Sequence, residues 1–112
     1  MSGQSGQKRD YPVKRPSRMR PAHPGAVLRD DVLPALGVSV SAAARELGIS
    51  RQTLHTILAE KAPVTPEMAV RLGRWCGNGP HLWLAMQRDR DLWEAAQRLA
   101  DTIQKVPVRR AA

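Results

Sequence analysis

Ser50, Arg51, Gln52, His55 and Thr56 fall within one short segment, and their side chains are of the kinds that read nucleic acid. An arginine can grip O6 and N7 of guanine with two hydrogen bonds, and a glutamine can do the same with N6 and N7 of adenine. Each such pairing discriminates against a wrong base by about 1–3 kcal/mol. Arg51 and Gln52 are therefore the candidate specificity pair, with His55 and Thr56 as further contacts on the same face. His55 reads equally well as solvent-facing helix surface. Ser39, Ser41 and Ser50 fall at the starts of two helical patterns, where backbone N–H groups and hydroxyls can hold phosphate oxygens and fix a docking register. Their simpler role is N-capping, and one serine can do both. Lys61, just beyond the segment, is a candidate backbone contact.

Other chemistries find no support in the residues. His23, His55, His81 and Cys76 do not form a spaced ligand set, so no metal site is expected. No nucleophile–base constellation, glycine-rich phosphate loop or paired catalytic carboxylates stand out, so neither an enzyme nor a cofactor is expected. The acids at 30, 31, 89 and 91 read as wet helix surface, and Cys76 as a small buried hydrophobe that has no partner for an internal disulfide.

The elements that must carry the polar segment follow from periodicity. Two short helices joined by Gly48, Ile49 and Ser50 have the dimensions of a helix-turn-helix. With Val40 as its first residue, the fifth position is Ala44, small enough for a close crossing, and the ninth is Gly48, where the turn needs positive φ. The apolar requirements are met by Ala43, Leu47, Ile49, Leu54 and Ile57. An ordinary helical hairpin with the same pattern is the alternative.

Around this unit, His23 and Pro24 open a first helix with Val27, Leu28, Val32 and Leu33 on one face, which Pro34 is expected to stop. Thr65, Pro66 and Glu67 mark the start of a fourth helix carrying Met68, Leu72 and Trp75. After Gly77–Gly79 and Pro80 the pattern fits one long helix or two in tandem. No segment alternates at period two for long enough to make a strand, so the fold class is all-α. Trp75, Trp83 and Trp93 are expected in the core, this chain having no phenylalanine.

Near the end, Leu92, Ala96, Leu99, Ile103 and Val106 form a narrow stripe spaced 4, 3, 4, 3, with Glu94–Arg98 and Asp101–Lys105 as i, i+4 pairs on the wet side. Leu92, Trp93, Ala96, Leu99 and Ile103 are the candidate dimerisation residues; packing onto the first helix is the alternative.

Charge is segregated. Residues 1–22 carry Lys8, Arg9, Lys14, Arg15, Arg18 and Arg20 against Asp10, and 105–112 add Lys105, Arg109 and Arg110, while 23–104 balances nine basic with nine acidic residues. We read 1–22 as a disordered basic arm, 23–104 as the folded domain and 105–112 as a basic tail. Basic arms on a neutral body suit a polyanion, because binding releases counterions from phosphates. No apolar run approaches a membrane span and the first residues do not resemble a signal peptide, so no membrane partner and a cytoplasmic, nucleoid-associated location are expected.

Three stretches, HPGAVLRDDVLPALG, SAAARELGISRQTLHTIL and PVTPEMAVRLGRWCGNGPHLWLAMQ, within residues 23–87, resemble the HigA antitoxins. These are a branch of the Xre or λ-repressor-like helix-turn-helix proteins. HPG, SRQTL, TPEMAVRL and WLAMQ carry the resemblance. It implies a λ-repressor-like five-helix domain with a C-terminal helical extension. It also implies a homodimer that binds its own operator in double-stranded DNA, represses its operon and neutralises a HigB-like toxin, a RelE-like nuclease that cuts mRNA. A stand-alone Xre-type repressor and a toxin-binding adaptor with incidental DNA binding are the alternatives. The sequence departs from the pattern after the third helix. Ala59, Glu60 and Lys61 stand where an Asn-Gly or Gly-Arg turn is common, and Glu60 would repel phosphate.

Overall fold

The computed structural model describes residues 19–111. Most of the basic arm, 1–18, and the last residue of the basic tail therefore lie outside the described residues. Counting 24–36 as one helix, five helices form among the described residues, and no strand does. The fold is all-α, as the periodicity predicts.

The first helix, α1, spans 24–36. His23 caps it, its Nδ1 accepting from the Gly25 N–H at 2.9 Å, and Pro24 takes the first position, where its missing N–H costs nothing. Pro34 does not stop the helix, contrary to the sequence expectation. Residues Leu28–Val32 form a π turn in which the Leu33 N–H bonds to the Leu28 carbonyl, and Leu33–Leu36 continues as α-helix with Pro34 in its first turn. The widened turn supplies the room that a proline ring lacks in an ordinary helix interior. Gly37, in the left-handed conformation, ends it.

Helices α2 (Val40–Leu47) and α3 (Arg51–Leu58) follow, then α4 (Pro66–Cys76) and α5 (Pro80–Arg98). Thr65 caps α4 through the Met68 N–H, with Pro66 and Glu67 in the first turn as expected. The core gathers Leu28 and Leu33 of α1, the small Ala43 and Ala44 of α2, Leu54 and Ile57 of α3, Leu72 of α4 and Trp83 of α5. Of the three tryptophans expected there, only Trp83 is fully buried, its Nε1 donating to Asn78 at 3.0 Å. Trp75 is half-buried because its indole reaches outward to donate to Glu46 at 2.9 Å, and Trp93 is half-buried on α5. Cys76 is half-buried too, and burial pushes its thiol up.

The long C-terminal pattern resolves into a single helix, α5, that ends sooner than the apolar stripe. Leu92 and Ala96 lie on α5, Leu99 caps it, and Ile103 belongs to a separate 3₁₀ turn, Thr102–Lys105. Residues 99–111 are exposed, so nothing among the described residues rewards continuing the helix there. The expected pairings change with it. Glu94 binds Arg90 at 2.7 Å, one turn back, and Asp101 and Lys105 no longer share a helix face.

Candidate nucleic-acid interface

The turn between α2 and α3 is closed at three points. Gly48 adopts φ +75°, which reverses the chain without a Cβ penalty, and the Ile49 N–H returns to the Ala44 carbonyl at 3.0 Å. Ser39 and Ser50 cap the two helices, accepting from Ala42 N–H at 3.1 Å and Thr53 N–H at 3.0 Å. The third closure was not evident from the sequence. Arg71 of α4 donates through Nη1 to the Leu47 carbonyl at 2.8 Å, placing a cation at the negative end of α2, while Nη2 pairs with Glu67 at 3.2 Å. Nothing in residue type distinguishes Arg71 from a solvated arginine; only its position facing the turn does.

Helix α3 buries Leu54, Ile57 and Leu58 and leaves Arg51, Gln52 and His55 exposed along the opposite face. The residue before Arg51 is occupied with its cap, since the Ser50 hydroxyl also donates to Thr53 Oγ1 at 2.8 Å. A phosphate at this helix end would therefore be held by the first backbone N–H groups of α3 rather than by that hydroxyl. Ser39, which only accepts, keeps its hydroxyl hydrogen for an outside acceptor. Ser41 is exposed in the first turn of α2. Thr56 is half-buried and its hydroxyl donates back to the Gln52 carbonyl at 2.8 Å, which leaves it able to accept but not to donate. Lys61 is exposed and its backbone N–H bonds to the Thr56 carbonyl at 3.0 Å.

The other end of α3 is where the structure departs from the sequence reading. Glu60 has φ +63°, and its carboxylate lies 3.2 Å from Arg29 of α1 and 3.8 Å from Arg90 of α5. The two guanidiniums offset the charge that was expected to repel phosphate. Arg29 is held protonated by Asp30 first and Glu60 second, and the bond from Arg90 holds the Glu94 carboxyl below the usual carboxylate range.

Of the candidate dimerisation residues, Leu92 and Ala96 on α5, Leu99 at its cap and Ile103 in the 3₁₀ turn are turned to solvent in the single chain, not packed on α1. Leu92, Trp93 and Ala96 line a shallow apolar groove with Met19 and Pro21. Pro21 is held there by its carbonyl, which accepts from Arg90 at 3.1 Å.

No protein-family model matches the chain. Antitoxin HigA-1 of Vibrio cholerae is 30% identical over 84 residues, 75% of this chain and 79% of that protein. The chain belongs to the HigA antitoxin family. Solved structures agree with this HigA assignment. Antitoxin GraA in complex with its operator is 37% identical, with a TM-score of 0.78 over 89% of this chain and 99% of that one. Pseudomonas aeruginosa antitoxin HigA with the higBA promoter is 32% identical, with a TM-score of 0.75 over 80% of this chain and 97% of that one. Against that family background, the α2–α3 unit of this HigA chain is the helix-turn-helix that its spacing predicts, and no helix of the described residues is long and apolar enough to cross a membrane.

Proposed function

We propose that this HigA-family chain is an operator-binding antitoxin that acts as a homodimer in the bacterial nucleoid. Helix α3 of each subunit enters one of two successive major grooves, about 34 Å apart. Arg51 and Gln52 read base edges. His55 and Thr56 make the flanking contacts, Ser39, Ser41 and Lys61 hold the backbone, and Ser50 contributes as the cap that presents the first N–H groups of α3 to a phosphate. The same protein neutralises a HigB-like toxin of the RelE-type mRNA-cleaving class, and repression and neutralisation together make a toxin–antitoxin module.

One observation carries this reading above the others. Arg51 and Gln52 are exposed at the amino end of a helix whose apolar face is buried and whose entry turn is fixed by Gly48 and Arg71. Side chains that must pay little ordering cost on binding are best placed on such a rigid element. Further support comes from GraA and the Pseudomonas HigA, both solved on their own operator or promoter DNA.

The test is a gel shift with the DNA upstream of this protein's reading frame, with and without the product of the adjoining frame. Arg51→Ala should cost about 1–3 kcal/mol on the upstream duplex and little on scrambled DNA. Equal loss on both duplexes removes base reading from Arg51. Failure of the neighbouring product to co-purify would leave a stand-alone repressor.

A further inference from the structure

Glu60 is the residue that the sequence reading singled out as out of place, and it is also the only non-glycine with positive φ among the described residues. A left-handed conformation is unfavourable for an L side chain of this kind. A glycine would fit the turn at no such cost. The geometry around the carboxylate shows what offsets the strain. Oε2 accepts from Arg29 Nη1 at 3.2 Å, and the same guanidinium nitrogen donates to the carbonyl of Leu58, the last residue of α3, at 2.9 Å. Oε1 faces Arg90 Nη2 at 3.8 Å. Arg90, whose side chain is 9% exposed, also binds Glu94 and the Pro21 carbonyl. The main packing partners of α3 are α2 and α1, whereas those of α5 are α4 and α1. Glu60 thus ties the carboxyl end of α3 to the helix that carries Leu92 and Trp93.

We propose that Glu60 is a positioning residue for operator recognition: shared between Arg29 and Arg90, it transmits the orientation of α5 to α3. In the dimer it fixes the separation of the two recognition helices. The inference rests on the operator-binding homodimer reading above. It assigns half-site spacing to a side chain that touches no base.

The experiment compares full-length wild type with Glu60→Gly and Glu60→Gln on two duplexes. One spans the DNA upstream of the reading frame; the other has one base pair inserted at its dyad, which displaces the half-sites by about 3.4 Å and rotates them by roughly 35°. Glycine keeps the turn and relieves its strain, so the loss of the carboxylate is isolated from misfolding; glutamine keeps the side-chain shape and covers the case in which Glu60→Gly does not fold. Wild type should bind the native duplex at least about tenfold more tightly than the insertion, a difference of 1.4 kcal/mol. In both variants the native duplex should bind about tenfold more weakly, with the insertion penalty reduced to about threefold or less. Wild-type affinity in the variants overturns the proposal, and so does a uniform loss that leaves the insertion penalty intact. Failure of wild type to prefer the upstream duplex over scrambled DNA would instead sink the operator reading itself.

Discussion

Gly25 lies so close to the backbone carbonyl of Ile57 that a Cβ at position 25 would overlap it. The first turn of α1 therefore packs on the bare backbone of α3, the helix that exposes Arg51 and Gln52. The HPG motif is explained by this contact together with the cap: His23 accepts from the Gly25 N–H, Pro24 fits the first turn, and Gly25 lets the two helices meet. Gly25→Ala must displace one helix, because the opposing atom belongs to main chain and cannot rotate away. Overpacking of this kind costs about 1–3 kcal/mol or more. The denaturant midpoint should fall accordingly, with operator affinity falling alongside it; an unchanged midpoint would show that the helices separate freely.

Arg71→Met tests the clamp on the helix-turn-helix corner. Methionine keeps most of the apolar stem but removes the donor to the Leu47 carbonyl. A hydrogen bond from a charged group contributes about 1.5–3 kcal/mol, and with the Arg71 side chain 38% exposed solvent screening brings the expected loss to about 1 kcal/mol. The more specific readout is local. Amide exchange of Ile49, whose N–H closes the turn onto Ala44, should accelerate by more than that of Leu72 in the core. Parallel acceleration at both sites would mean that Arg71 stabilises the whole domain and not the corner.

The helix-turn-helix was legible from the sequence because each of its requirements is local: Ser39 and Ser50 as caps, Gly48 for the left-handed corner, Ala44 for the crossing. The role of Pro34 is not legible there, for the opposite reason. Whether a proline ends a helix depends on whether the preceding turn can widen, and no residue type announces a π turn. Arg29, Arg71 and Arg90 were invisible as functional residues because each acts across 23 or more positions of sequence, on Leu58, Leu47 and Pro21 carbonyls. The charge of Glu60 is legible in the sequence and its surroundings are not. A carboxylate near DNA repels only while unpaired, and its two partners come from distant helices.

Stability should depend on pH through His23. The ring is buried and its Nδ1 accepts the Gly25 N–H, so the folded state needs that nitrogen unprotonated. Burial is the main cause lowering its pKa; Glu60 acts in the opposite direction and Arg90 in the same one. With the folded pKa below the ordinary value of 6.5, the unfolded chain binds more protons in the interval between them. The stabilisation is thus present above about pH 6.5 and is lost as the pH falls toward the folded pKa. Asp30 and Glu94, both held below the usual carboxylate range by arginines, add their own loss only at more acidic pH. Melting temperature measured from about pH 8 to about pH 5 should decline in wild type. In His23→Asn, which keeps an N-cap acceptor, the decline should flatten. An equal slope in the variant would place the titrating group elsewhere.

Leu92 is 62% exposed on α5, with Leu99 at 45% and Ile103 at 52% beyond it. Apolar side chains this open, in line with the groove formed by Met19, Pro21, Trp93 and Ala96, make a face that a second copy of the chain could cover. A stable contact needs about 800 Å² from each partner, which Leu92 and Trp93 can seed only if the 3₁₀ turn at Thr102–Lys105 contributes as well. Leu92→Glu introduces a charge at the centre of that face without touching the domain core. Sedimentation should show a dimer for wild type and a monomer for Leu92→Glu, while the helical circular dichroism and the melting temperature extrapolated to low concentration stay close to wild type. Operator affinity should fall by about 10²-fold or more, because the two recognition helices would lose their effective concentration for one another. A variant that still sediments as a dimer would move the interface off α5, and one that becomes monomeric yet binds the upstream duplex as wild type does would detach dimerisation from DNA reading.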